Sequence, residues 1–175
     1  MGKWLGAVLI LCSSTGLGFK TASDRRQALR LLETLRQMIL FLKGEITYRR
    51  CGLEEALEQV GKREKGELSR LFLDTADAIR GQGGESFCQI WRKNLENFFR
   101  SGQGRLLSKE DRERLEELGE HLGYLDVEMQ EKTLLLYLER LESRIRVFRG
   151  SIRESCRLCT GLGVMGGLFL VILMF

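Results

Sequence analysis

Two apolar stripes near opposite ends of the polar region predict a pair of long helices. The first stripe advances by alternate steps of four and three residues, through Ala28, Leu32, Leu35, Ile39, Leu42 and Ile46. The second advances by the same steps, through Leu134, Leu138, Leu141, Ile145, Phe148 and Ile152. Because this spacing keeps apolar side chains on one helix face, we expect each stripe to be buried against another helix.

Between the stripes lie four shorter amphipathic segments, residues 53–61, 67–80, 85–99 and 109–123. Ser108 and Asp111 have the spacing of a capping box at the start of the fourth segment, and Asp126 is placed to cap the last long helix. The chain contains no proline, which would break a helix interior. The pattern therefore predicts an all-α bundle of about six helices.

Two nearly unbroken apolar segments occupy the ends of the chain, residues 4–19 and 158–175. A helix of about 18 residues is ~27 Å long, close to the ~30 Å hydrocarbon core of a bilayer. We expect a transmembrane helix over residues 1–20, a cytosolic helical domain over 21–157 and a second transmembrane helix over 158–175. The front segment is also compatible with a cleaved signal peptide, and the tail with a buried core helix.

Basic residues lie on the inner side of both apolar segments. They are Lys20, Arg25, Arg26 and Arg30 after the first segment, and Arg140, Arg144, Arg146, Arg149, Arg153 and Arg157 before the second. By the positive-inside rule they place the polar region in the cytoplasm and both termini across the membrane. The two stripe helices then leave one membrane face in opposite chain directions, so we expect an antiparallel stalk. The five arginines from Arg144 to Arg157 are expected to contact anionic lipid headgroups.

Small residues favour contact between the two apolar segments. Gly163 and Gly167 form a GxxxG pair in the tail, and Ser14 and Gly18 have the same spacing at the front. Small residues four apart let helix backbones approach closely in lipid. The spacing predicts close helix packing there without naming the partner.

Residues that usually carry catalysis or metal binding are few. The chain has one histidine, His121, on a Glu-rich segment, and five scattered cysteines. Cys156 and Cys159 have CxxC spacing, but the sequence supplies neither a thioredoxin-like unit nor further zinc ligands around them. Acidic residues interleave with the arginine row, which disfavours nucleic-acid binding. We therefore expect a non-enzymatic protein without a cofactor that works through protein–protein contact at a membrane.

The aromatic residues of the third short segment allow two interpretations. Trp91, Phe98 and Phe99 have the spacing of core side chains on a helix. An exposed docking patch built from the same three residues is the alternative.

The whole chain resembles the stage III sporulation protein AB family of endospore-forming bacteria. The resemblance depends on the order of "GEITYRRCGLEEALEQVG" (residues 44–61), "LGEHLGYLDVEMQEK" (118–132) and the terminal "LGVMGGLFLVILMF" (162–175). Within the second stretch, an LGxxLGxxDxxxQ pattern falls on Leu118, Gly119, Leu122, Gly123, Asp126 and Gln130. This chain has Arg50-Cys51-Gly52 where many members carry a Pro-rich start to the second helix.

The resemblance implies a role in sporulation, in the mother-cell membrane around the forespore. Family members are thought to belong to a channel-like complex that includes a cytosolic secretion-type ATPase, and they resemble the platform protein of type II secretion and type IV pilus machines. Lipids, that ATPase, other membrane components and further copies of the chain are the implied partners. The alternative hypothesis is a membrane-anchored helical adaptor without a secretion role.

Four residues of the second stretch are candidates for a contact site: Gly119, Gly123, Asp126 and Gln130. Gly119 and Gly123 lie four apart on one helix face and permit another helix to approach closely. That helix belongs either to a partner or to the same chain, where it would form a tight corner. The sequence leaves both open.

Overall fold

The computed structural model describes the backbone of residues 2–81, 84–123 and 126–174, and the side chains of residues 23–81, 84–123 and 126–152. Within these ranges the chain forms six α-helices and no strand. They are α1 (Gly2–Thr47), α2 (Leu53–Arg63), α3 (Glu67–Arg80), α4 (Phe87–Arg100), α5 (Lys109–Leu122) and α6 (Val127–Met174), with a short 3-10 helix at Gly104–Leu106. The predicted all-α class is confirmed.

The predicted transmembrane segments, residues 4–19 and 158–175, lie outside the residues whose side chains are described. The same is true of Gly163 and Gly167, and of the CxxC pair. Across the part of the chain that is described, no helix combines the length and the apolar character needed to cross a membrane. Both segments stay predictions from the sequence.

The two stripe helices pack against each other in opposite directions. All six residues of the first stripe are buried, and the second stripe contributes buried Leu134, Leu141 and Ile145. Ion pairs tie the two helices together on their outer faces: Lys43 to Glu131 (3.2 Å), Arg36 to Glu142 (2.7 Å) and Glu33 to Arg149 (2.5 Å). From one pair to the next, the residue number on α6 increases as the residue number on α1 decreases. The two helices are therefore antiparallel, and the predicted stalk is present.

The six helices close into a ring around one apolar interior. Each helix contacts the next in chain order, and α6 returns to α1. The interior is filled by fully buried residues from successive helices, among them Leu35, Leu57, Phe72, Leu95 and Leu115. Because α1 and α6 adjoin, residues 23 and 152, where the described side chains begin and end, lie at the same end of the bundle.

Trp91 fixes α4 against α5. Its indole Nε1–H donates a 2.8 Å hydrogen bond to the backbone carbonyl of Leu115, and its ring packs edge-on against Phe72 and stacks with Phe87. The indole reaches the α5 backbone because Gly119, one turn after Leu115, has no side chain. A Cβ at Gly119 would overlap Cδ1 of Trp91.

Arg144 ties the start of α5 to α6. Ser108 and Asp111 form the predicted capping box of α5, and the Arg144 guanidinium approaches both residues. Its Nε lies 3.1 Å from Asp111 Oδ1, and its Nη2 lies 3.3 Å from Ser108 Oγ. The Asp111 side chain is only 8% exposed and that of Arg144 24%, so this ion pair is largely removed from water. Each of the two charged groups therefore depends on the other to balance its charge in this largely buried position.

Replacing Gly119 by alanine should destabilise the protein although alanine favours helices. The new methyl group must displace a buried, hydrogen-bonded indole, which we expect to lower the free energy of unfolding by about 1–3 kcal/mol. Gly150→Ala is the matched control, because Gly150 lies in α6 with no atom within 4 Å of an added Cβ. The free energy of unfolding of the control variant should rise by up to about 1 kcal/mol, because alanine favours a helix more than glycine does. Chemical unfolding of the full chain in detergent measures both, and equal effects would contradict the packing role of Gly119.

Removing the Arg144 guanidinium should lower the free energy of unfolding by more than removing a surface arginine from the same helix. Arg144→Met leaves the buried Asp111 carboxylate unpaired, with an expected loss of about 3 kcal/mol. Arg149→Met breaks a pair whose side chains are 59% and 40% exposed, so its expected loss is under about 1 kcal/mol. The comparison uses the same unfolding measurement. A loss for Arg149→Met as large as that for Arg144→Met would contradict the assignment.

Candidate partner-binding surface

The four candidate residues of the LGxxLGxxDxxxQ pattern form the corner between α5 and α6. Gly123 lies against α4, where an added Cβ would lie 2.9 Å from Phe87 Cδ1. Asp126 Oδ1 accepts a 2.9 Å hydrogen bond from the backbone N–H of Met129 and so caps α6 as predicted. Gln130 Nε2 donates a 2.9 Å hydrogen bond to the carbonyl of Leu122. That carbonyl ends α5 and has no partner further along its own helix.

Together with Gly119, these contacts are all within the chain. The glycines admit aromatic side chains of α4, Asp126 starts α6, and Gln130 joins the end of α5 to the beginning of α6. Each of the four residues thus has a contact within the chain at this corner. The corner holds the end of α5 against the beginning of α6.

The described arginines before the tail do not share one environment. The sequence predicts lipid contact for Arg144, but its guanidinium binds Asp111 and lies 5.3 Å from the ring centre of Phe148. Arg149 pairs with Glu33 across the stalk, whereas Arg146 is exposed. Arg153 and Arg157 lie outside the described side chains. The helix period alone cannot reveal that Arg144 faces inward, since its partner is 33 residues away in sequence.

The alternative of an exposed aromatic patch on α4 is wrong. Trp91 and Phe98 are 2% and 4% exposed and belong to the core. Phe99 is partly buried against the same core, with the Arg112 guanidinium 5.1 Å from its ring centre.

An open groove runs between α5 and α6. Its volume is about 210 Å³. It is lined by Arg114, Glu117, Leu118 and His121 from α5 and by Thr133, Leu136, Tyr137 and Arg140 from α6. Leu136 is 50% exposed, although it belongs to the same helix as the buried stripe. Sequence reasoning missed this groove because its two walls come from separate segments whose relative rotation the apolar periods do not specify.

Charged groups line the rim of the groove. Arg140 faces Glu117 at 3.7 Å, with both side chains about half exposed. Arg114 pairs with Glu110 at 2.7 Å. Burial, followed by the nearby Asp111 carboxylate, raises the pKa of the Tyr137 phenol above its ordinary value. Tyr137 is therefore neutral at physiological pH, and the charge of the groove comes from its arginines and Glu117.

Chemically reactive side chains are dispersed in the described part of the chain. No three potential metal ligands among those residues lie close enough to hold an ion. Burial is the main reason that the pKa of Cys51 is raised, and its thiol donates to the carbonyl of Glu45 at 3.2 Å. His121 lies in the α5–α6 groove.

Comparison with known proteins gives a consistent family assignment. A sequence model described as "Stage III sporulation protein AB" matches residues 3–175. The stage III sporulation protein AB of Bacillus subtilis (strain 168) is 29% identical over 174 residues, covering 99% of each chain. A solved structure of stage III sporulation protein AB (SpoIIIAB) has a TM-score of 0.62 and 27% identity, and covers 73% of this chain and 97% of that chain. The chain therefore belongs to the stage III sporulation protein AB family.

Proposed function

We propose that the protein is a non-enzymatic platform in the mother-cell membrane that surrounds the forespore, within a secretion-like or channel-like complex. In this role its helical head, formed by α2–α5 and the adjoining ends of α1 and α6, docks a cytosolic secretion-type ATPase and couples that ATPase to membrane components. Membership of the sporulation family supports the cellular setting. The antiparallel stalk is the single observation that most supports the platform role.

The antiparallel stalk defines which residues lie at each end of the bundle. The ion pairs between α1 and α6 show that residues 23 and 152 lie at one end of the described bundle, and Thr47 and Val127 lie at the other. In the sequence, the two apolar segments adjoin this first end of the described bundle. If they anchor the chain, the α5–α6 corner points away from the membrane, toward a cytosolic partner.

Distance along α6 divides the arginine row into two groups. Arg146 precedes the apolar tail by about 12 residues, which is ~18 Å of helix and more than the ~8 Å Debye length at physiological salt. Arg153 and Arg157 fall within that length of the tail. Arg153 and Arg157 are therefore the arginines expected to contact anionic headgroups, and Arg144 and Arg149 are not.

Topology provides the first test. The test uses vegetative cells, where the expressed protein would lie in the plasma membrane with its outer side accessible. In these cells a cysteine introduced at Arg100, in a variant whose native cysteines are replaced by serine, should react with a membrane-impermeant maleimide only after permeabilisation. A cysteine added to either terminus should react in intact cells. Labelling of residue 100 in intact cells would exclude the cytosolic head and with it ATPase docking.

Direct capture provides the second test. The full chain in lipid nanodiscs should retain a purified secretion-type ATPase from the same organism, whereas empty nanodiscs should not. Co-sedimentation followed by quantitative mass spectrometry measures the retained ATPase. Failure to retain any ATPase, with the head correctly oriented, would favour the membrane-anchored adaptor instead.

A further inference from the structure

The seam between α5 and α6 is built differently from the apolar seam between α1 and α6. One end is held by Arg144 on Asp111, and the other by the Gln130 side chain on the Leu122 carbonyl. The open groove lies between these two polar contacts. The corner and the Arg144 ion pair thus join α5 to α6 on either side of the groove.

The size of the groove limits what it can accept. Sites for small molecules and cofactors usually enclose about 300–1,000 Å³, whereas this groove has about 210 Å³. Its apolar lining is supplied by Leu118 and Leu136, with the Tyr137 ring beside them. One aliphatic side chain of a docking segment fits this volume better than a cofactor.

The charges on the rim of the groove favour a docking segment that carries a carboxylate. Arg140 lies 3.7 Å from Glu117, beyond the ~2.7–3.2 Å range of a good N–H···O hydrogen bond. An incoming carboxylate that approached to within that range would form a stronger, charge-assisted contact. Arg114, already paired with Glu110 at 2.7 Å, is less available. Glu117 on the same rim would repel a segment whose carboxylate missed Arg140.

The spacing of Leu136 and Arg140 specifies the shape of the segment. The two residues are one helical turn apart on α6, so their side chains lie on one face. A helix lying along the groove meets both residues when its aliphatic and acidic side chains are also about one turn apart.

We propose that the α5–α6 groove docks a helical segment of the partner ATPase that carries an aliphatic residue and a carboxylate three or four positions apart. The aliphatic side chain packs on the half-exposed Leu136, above the buried Leu118, and the carboxylate binds Arg140. This assignment depends on the proposed function, because that function supplies the partner. It adds which surface binds the ATPase and what chemistry the ATPase must present.

Charge reversal at Arg140 tests the assignment, with the full chain in nanodiscs and purified ATPase. Arg140→Glu should weaken binding by about tenfold or more, because it turns the attraction into repulsion. Arg146→Glu, an exposed arginine of the same helix outside the groove, is the matched control and should leave affinity unchanged. Since the Arg140 side chain is half exposed, Arg140→Glu should unfold at the same midpoint as the wild-type chain, which a thermal melt checks.

Photo-crosslinking locates the bound segment. A benzophenone amino acid in place of Leu136 should crosslink to the ATPase, and the same group in place of Val147, which is 66% exposed, should not. The crosslinked peptide should contain Asp or Glu three or four residues from Leu, Ile, Val or Met. Replacing that acidic residue by arginine should restore binding to the Arg140→Glu chain.

Several outcomes separate this inference from the proposed function. If the ATPase binds but Arg140→Glu and Arg146→Glu behave alike, or if residue 136 crosslinks to a second copy or to a basic segment, the groove assignment is wrong and platform function stands. If the wild-type chain does not bind the ATPase at all, both are overturned.

Discussion

The buried seam between α1 and α6 constrains where every other helix can lie. It brings together segments from opposite ends of the sequence, and the first apolar stripe is buried along its whole length. With these two helices paired, the chain from Tyr48 to Asp126 must return from the end of α1 to the start of α6. Four short helices make this return. Because each packs on the next, they complete a ring whose interior is closed on one side by the stalk.

The corner between α5 and α6 is formed by a short sequence pattern that has the spacing of a binding motif. Its contacts in the structure position the helices of the same chain. Gly119 and Gly123 remove side chains where the rings of Trp91 and Phe87 approach α5. Asp126 and Gln130 provide hydrogen bonds to backbone groups that helix ends leave without partners. The functional consequence is indirect, since these contacts position the two helices that line the groove.

Much of the architecture is predictable from apolar spacing. The stripe from Ala28 to Ile46, the four short helices and the caps at Ser108 and Asp126 follow from local sequence, because a helix period and a cap each involve residues within one or two turns. The groove and the inward direction of Arg144 are not predictable in this way. They depend on how α5 and α6 are rotated about their axes, which is determined by contacts between residues far apart in sequence.

The ion pairs on the outside of the stalk have a consequence for its alignment. Both apolar stripes repeat every seven residues, so they would pack almost as well if α6 slid by one heptad, which would displace it by about 10.5 Å. A slide in one direction places Arg36 opposite Arg149, and a slide in the other places Glu33 opposite Glu142. Either shift gives up an attraction between opposite charges. The surface charges therefore select one register from those that the buried stripe permits, and so set the height of the head above the ends of the stalk.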